Sequence, residues 1–518
     1  MGKIYFWTRT YNHAKELPRC IDSVLNQTKY ADQIEYWFCD NGSTDNTREI
    51  LEEYARKDPR MKLLYNEKNN EWNEESDVFW DLPRLINEDD YFCTIDSDDE
   101  YKPDFLEKMI PFILENDLDI GIAGNDFVDA ETGQIAGQRV LNEPLILDTP
   151  EKFRELFPSY HAFTRTHWSK VFSGRITKYM CLKHQCSEEL WANIVGYAFD
   201  TYMVYSVLKH SKRVGIFPET FYRWSMYNTS TSYVWYYGRF NCDQIINETT
   251  EEFLEMLGPI SEQNRFFLDI IFANSLSDSI KVLLSVQGMT GEEKLKELRK
   301  AVDYRVTSDM MVHNTPDILN SRALIFGAAM MFGKTLDREN EDFTAALKLI
   351  CPNCAPYISV EDIGLYENDD ELKSALFCDN MTGLVERLLH LISGNMYSEQ
   401  FDLFKILKRF SEYKGLAPEF TDPEFIKEHG DIFLLIWKFG YSSVMGIMTK
   451  TLHGKVPLDE VFYHKYITLA SALERNDEVL LGKTKLAEYY KRNNRSEEYR
   501  TLLDELEKMG VKIDDTLI

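Results

Sequence analysis

The sequence predicts an α/β fold, a mostly parallel sheet flanked by helices, followed by an all-α, repeat-like half. Three observations carry this. Short apolar runs alternate with amphipathic segments from residue 3 to about 235, the strand–helix–strand signature of a parallel sheet. Two of those runs end in acids, Asp40 and the cluster Asp96, Asp98, Asp99 and Glu100. Beyond about residue 240, glycine and strand signals thin out and helical periodicity takes over.

In chain order, residues 3–8 (Lys-Ile-Tyr-Phe-Trp-Thr) form a first strand, and Thr10-Tyr11-Asn12 follow it. Leu17, Ile21, Val24 and Leu25 share one face of a helix that packs on the sheet. Residues 34–39 make a second strand ending in Asp40-Asn-Gly-Ser-Thr-Asp45, where Asn-Gly favours a turn and Ser43 or Asp45 caps a helix over 46–56. Residues 61–65 and 91–95 are the third and fourth strands. After the acidic cluster come a helix over 103–116 that opens on proline, a strand at 120–124, a helix over 200–212 and a strand at 214–217. Tyr222-Arg-Trp-Ser closes this half, and aromatic residues crowd 222–237 as either an acceptor-side segment or interdomain packing.

The expected boundary lies at 238/239, with a further division of the second half near 351–380. Helical segments are expected at 261–287, 291–304, 338–350, 382–394, 400–412, 431–450, 460–474, 479–492 and 495–509. The last three resemble helical hairpins with short polar joints.

At 518 residues the chain exceeds one ordinary core. A hydrophobic content of 44% with 13% aromatics marks it as globular. The net charge of −28 argues against nucleic acid or an anionic membrane as partner. The N-terminus enters a strand at once, unlike a signal peptide. The best apolar run, Ala323–Phe332, is half the roughly 20 residues a membrane span needs. Nine cysteines, with Cys39 and Cys93 inside apolar strands, point to reduced thiols and a cytoplasmic protein. Cys351-Pro-Asn-Cys354 has no second pair to complete a zinc site and reads as structural.

Clustered carboxylates at a strand end suit a hard cation. A calcium loop would place Asp96, Asp98, Glu100, Asp104 and Glu107 at its ligand positions, but Tyr101 stands where that loop needs glycine.

The order Thr10-Tyr11-Asn12, Ser23–Thr28, Asp40–Asp45 and Asp96-Ser-Asp-Asp99 resembles the family 2 glycosyltransferases of the GT-A fold, over about residues 3–235. The resemblance implies a catalytic domain over 1–238. It implies that Asp40 receives the N3–H of a uracil ring and that Thr10, Tyr11 and Asn12 line the same pocket, with Asn69 a further contact. Asp96 and Ser97 fall by the ribose, and Asp98 with Asp96 holds Mn²⁺ or Mg²⁺ against the diphosphate. Asp200 takes the place of the base that deprotonates the acceptor hydroxyl, with Glu188 and Glu189 as substitutes. Three departures stand out: Arg9 where proline is common, no glycine in 66–72, and Thr220 where processive synthases carry glutamine. The expected function is therefore single-sugar transfer from a nucleotide sugar, a UDP-sugar, to a glycan, lipid-linked or protein acceptor. Such an enzyme would meet a membrane only through its acceptor, and the helical half would recognise the acceptor or form a homo-oligomer. A haloacid-dehalogenase-type phosphatase and a non-catalytic scaffold are the alternative classes. Glu100 and the position of the acids on the fourth strand weigh against the phosphatase.

Overall fold

The computed structural model describes residues 2–69, 81–182, 186–194, 197–227, 230, 234–336, 340–381, 383–384, 387, 441–454 and 457–510. The chain forms two compact units. One comprises Met1–Gly288 with Lys300–Leu324, the other Met289–Arg299 with Ile325–Ile518.

In the first unit, β1 (Ile4–Thr10), β2 (Ile34–Asp40), β3 (Met61–Tyr65) and β4 (Tyr91–Thr94) alternate with α1 (Leu17–Leu25) and α2 (Thr47–Lys57). Alternation along β1 divides its side chains between two layers. Ile4 and Phe6 pack with Leu17, Ile21 and Val24 of α1 on one face. Tyr5 and Trp7 pack with Phe92 and Phe172 on the other. The chain continues through β5 (Glu100–Tyr101), α3 (Phe105–Asn116), β6 (Ile120–Asp129), β7 (Ile135–Arg139) and β8 (Leu145–Leu147). Then come α4 (Pro150–Glu155), α5 (Phe157–Thr164), β9 (Lys170–Ser173), α6 (Glu188–Ile194), α7 (Phe199–Leu208) and β10 (Val214–Met226).

The strand order is β3-β2-β1-β4-β9-β6-β10-β5, with β7 on β6 and β8 on β10. β1, β2, β3 and β4 pair in parallel, as do β6 and β10. The sheet is mixed because β9 enters antiparallel between β4 and β6, and β5, β7 and β8 also pair antiparallel. These four strands are two to five residues long, too short for a period of two to stand out in sequence. The reversal of β9 has one large effect: the residues that precede it, not those that follow, sit at the carboxyl edge of β4.

Helices α8 (Arg239–Met256) and α9 (Glu262–Ser285) belong to the same unit. Their Cys242, Ile246, Phe253 and Leu268 join the core that holds Trp7 and Phe172, so the expected boundary at 238/239 falls inside the first unit.

The remaining described helices are α10 (Gly291–Val302), α11 (Arg305–Met310), α12 (Pro316–Gly333), α13 (Glu341–Ile350), α14 (Ile363–Asn368), α15 (Asp370–Phe377), α16 (Tyr441–Leu452), α17 (Glu460–Ala472), α18 (Asn476–Arg492) and α19 (Ser496–Lys508). α17 and α18 close alike. Glu474 (φ 54°) and Asn494 (φ 57°) turn left-handed, and the next N–H reaches back to Ala470 O and Tyr490 O respectively, each at 2.9 Å. Most of the helix expected at 382–394, all of that at 400–412, and residues 431–440 of another lie outside the described residues. Cys351 and Cys354 are buried. Among the described residues no helix is long and apolar enough to cross a membrane.

Candidate active site

A cavity of about 720 Å³ opens at the carboxyl edge of the sheet, where ligands sit in open α/β folds. The end of β1 (Trp7, Arg9), the turn after β4, residues 166–168, the start of α7 and the end of β10 all contribute to it.

The turn after β4 sorts its acids by direction. Asp99 N–H bonds back to Asp96 O at 3.1 Å, which folds the residues over. Asp99 turns inward and is 1% exposed. Its Oδ2 accepts from the Tyr222 hydroxyl at 2.8 Å and its Oδ1 from Ser225 N–H at 2.7 Å. Glu100 pairs with Arg223 at 3.3 Å. Asp96 and Asp98 are left facing the cavity, so Asp99 braces the turn rather than facing a ligand. Arg19 straps the turn from outside, donating through Nη2 to Asp98 O at 2.6 Å and Ser225 Oγ at 3.0 Å. Ser97 Oγ meets His13 Nδ1 at 2.5 Å.

Burial raises the Asp98 carboxyl to about 6, helped by the charge of Asp96. Asp96 is also raised, first by burial and further by Asp200, against the pull of His167. Carboxylates crowded this way are a favourable seat for a positive ion.

Asp200 stands in the first turn of α7 and lines the same cavity. Between it and Asp96 lies His167, whose Nε2 is 3.4 Å from Asp200 Oδ1 and 3.5 Å from Asp96 Oδ1. On its other side, His167 Nδ1 lies 2.8 Å from Thr94 Oγ1. Trp168 stacks on Tyr222, with centroids 4.4 Å apart and planes at 4°.

Of the residues singled out in the sequence, Asn12, Asp96, Ser97, Asp98 and Asp200 come together here. Asp40, Thr10, Tyr11 and Asn69 do not line the cavity. Asp40 is fully buried, with Oδ1 accepting from Ser43 N–H and Oδ2 from Arg48 Nε, each at 3.0 Å. Thr10 is buried beside it at the end of β1, and Tyr11 is exposed. Asn69 Oδ1 accepts from Asn41 Nδ2 at 2.6 Å. Asn12 links this network to the cavity, its Oδ1 accepting from Thr44 N–H at 2.7 Å. Glu188 and Glu189 are exposed on α6, away from the lining.

Sequence reading missed His167, Thr94, His13 and the brace at Tyr222 and Ser225. Nothing in Thr166-His-Trp-Ser-Lys170 marks it as part of a site until β9 is placed beside β4.

Residues 8–173 match the sequence model described as glycosyl transferase family 2. The uncharacterized glycosyltransferase YibD of Escherichia coli (strain K12) is 31% identical over 124 residues, covering 24% of this chain and 34% of the relative. Chondroitin synthase of Escherichia coli is 37% identical over 97 residues, 19% of this chain and 13% of the relative. This chain thus spans about a third or less of the length of these two relatives. Among solved structures, S. aureus TarS 1-349 in complex with UDP-GlcNAc aligns with a TM-score of 0.39 at 15% identity, covering 77% of this chain and 94% of that one.

Proposed function

We propose, on the premise that the first half of this chain carries a glycosyl transferase family 2 domain, that the protein moves one sugar from a nucleotide sugar, a UDP-sugar, to an acceptor hydroxyl with inversion. The acceptor is a glycan, a lipid-linked glycan or a protein. One observation carries this reading: Asp96 and Asp98, taken as the donor side, and Asp200, taken as the acceptor side, line a single cavity, with His167 between Asp96 and Asp200.

Asp200 is the general base in this reading. The acceptor oxygen attacks the anomeric carbon as its proton passes to the Asp200 carboxylate. The bond from that carbon to the phosphate oxygen breaks, and the nucleoside diphosphate leaves with the electron pair. A positioned base of this kind contributes about 10²–10⁴-fold. A single displacement inverts the anomeric centre.

Asp98 and Asp96 suit Mn²⁺ or Mg²⁺. Two carboxylates of one turn, both lining the cavity, match a cation that takes its remaining ligands from phosphate oxygens and water. When bound, such a cation neutralises charge on the departing diphosphate. The nucleoside falls to the network beside the cavity: Thr10, Tyr11, Asn12, Asp40 and Asn69, with Ser97 and Asp96 toward the ribose. There Asp40 would share its buried carboxylate between Arg48 and the N3–H of the base.

The test is thermal stability of the full chain with a panel of UDP- and GDP-sugars, with and without Mn²⁺. A donor at 100 times its Kd adds about 2.7 kcal/mol, a readily measured rise in Tm that EDTA should reverse. No rise with any donor, and no effect of EDTA, would overturn the reading.

A further inference from the structure

Residues 166–169, the strap that leads into β9, are held more firmly than a connecting loop needs. Thr94 Oγ1 donates to His167 O at 2.8 Å. Lys170 Nζ donates to Thr166 O at 2.5 Å and Trp168 O at 3.2 Å. Ser169 N–H donates to the Tyr101 hydroxyl at 3.1 Å, while Ser169 Oγ lies 3.0 Å from Ala123 O and 3.1 Å from Gly124 O. Thr201 Oγ1 donates to Arg165 O at 2.9 Å, tying the first turn of α7 to the start of the strap.

Two features of this arrangement are unfavourable in themselves. Ser169 is left-handed at φ 58°, a conformation in which Cβ crowds the backbone and which residues other than glycine rarely adopt. Lys170 is 1% exposed, and burial drives its amine well below the usual lysine range. Backbone strain of this kind persists where the surroundings over-determine it, and it clusters at working sites.

What the strap presents is His167. Thr94 Oγ1 has committed its own hydrogen to the His167 carbonyl, so toward the ring it accepts, and the hydrogen in that bond sits on Nδ1. Nε2 is then the ring atom turned to the cavity, within 3.5 Å of both Asp96 and Asp200. With Nδ1 holding one hydrogen, Nε2 donates to either carboxylate, one at a time, when the ring carries its second proton. Asp96 follows β4 and Asp200 opens α7, so the ring bridges two separate elements of the fold.

We propose that His167 is a positioning residue for sugar transfer, fixing the Asp200 carboxylate against the donor-side Asp96 so that base and anomeric carbon are held in register. It rests on the glycosyltransferase reading above. The ring touches neither donor nor acceptor in this role. It sets the placement of Asp200, and Thr94 sets the placement of the ring.

The experiment uses the full chain and its His167→Ala, His167→Gln and Thr94→Val variants. Release of UDP from a panel of UDP-hexoses and UDP-N-acetylhexosamines with Mn²⁺, with water as the acceptor of the sugar, gives kcat and KM, and calorimetry gives the Kd of UDP with Mn²⁺. Misplacing a reacting group by about 1 Å loses about 10²-fold, so His167→Ala should lose about that much in kcat at unchanged KM and UDP affinity. Thr94→Val should lose in the same direction while keeping the ring. His167→Gln, which retains a polar nitrogen at the end of its side chain, should recover part of the loss. Should His167→Ala fail to fold, the other two variants carry the test. An active wild type whose variants keep full kcat overturns this proposal alone. Parallel loss of UDP affinity and kcat in Thr94→Val and His167→Gln also overturns it, since that is the mark of a merely structural role. A wild type that releases no UDP from any donor overturns the glycosyltransferase reading and this proposal with it.

Discussion

The Tyr222 hydroxyl donates to Asp99 Oδ2 at 2.8 Å and accepts from Asp96 N–H at 3.2 Å. One phenol thus joins both ends of the acidic turn to β10. Tyr222→Phe leaves a buried N–H and a buried carboxylate each short of a partner, which costs about 1–3 kcal/mol. A denaturant titration should show that loss. Affinity for UDP with Mn²⁺ should weaken alongside it, because Asp96 and Asp98 ride on the same turn.

Asp98→Asn and Asp200→Asn should fail in different ways. Asp98→Asn is expected to lose metal-dependent UDP binding by calorimetry. Asp200→Asn should bind UDP as the wild type does while turnover drops about 10²–10⁴-fold. Equal turnover in Asp200→Asn and wild type would remove Asp200 as the base.

Asn12 sits at φ 54°, and its side chain accepts from Thr44 N–H while its backbone N–H donates to Ser43 Oγ at 2.9 Å. Replacing it with alanine or glycine removes the same side-chain bonds, but only alanine resists the left-handed backbone, by about 1 kcal/mol. Asn12→Ala should therefore melt below Asn12→Gly. Equal melting temperatures would show that the backbone relaxes.

Behind the cavity, Asp243 of α8 is 2% exposed. It accepts from Ser279 Oγ at 2.5 Å, and among the described residues its Oδ1 has no hydrogen-bond partner. Burial raises its carboxyl to about 7, against the pull of that bond and of Arg239. A folded-state value above the unfolded one means that the native state holds the proton more tightly. This contribution to stability is therefore whole below about pH 4 and is lost as pH rises toward 7. Thermal melts of Asp243→Asn and wild type should diverge in the variant's favour across that window and stay parallel above it.

The parallel half of the sheet was legible because β1 to β3 have five to seven residues and the acids punctuate their ends. Asp96, Asp98 and Asp200 could be singled out from local pattern and family likeness. The residues around Asp40 were legible as a local cluster but not in their packing: a strand-end Asp in front of Asn-Gly does not announce that Arg48 will reach back to it. His167 was illegible for a different reason. β9 has four residues and begins with a buried lysine, so neither hydrophobic pattern nor charge marks it as a strand. Only the strand order brings residue 167 to residue 96.

That order also bears on synthesis. One edge of β4 is paired by β1, but the other waits for β9, about 75 residues further along the chain. At ribosomal rates of about 5–20 residues per second, the nascent chain carries that edge unpaired for roughly 4–15 s. Residues 91–94 are all buried in the finished protein, so the waiting edge is an apolar template for pairing with other chains. Truncations that stop before Lys170 keep it open permanently, and the threshold for recovering a well-behaved N-terminal fragment lies beyond Ser173 rather than at the end of the acidic turn.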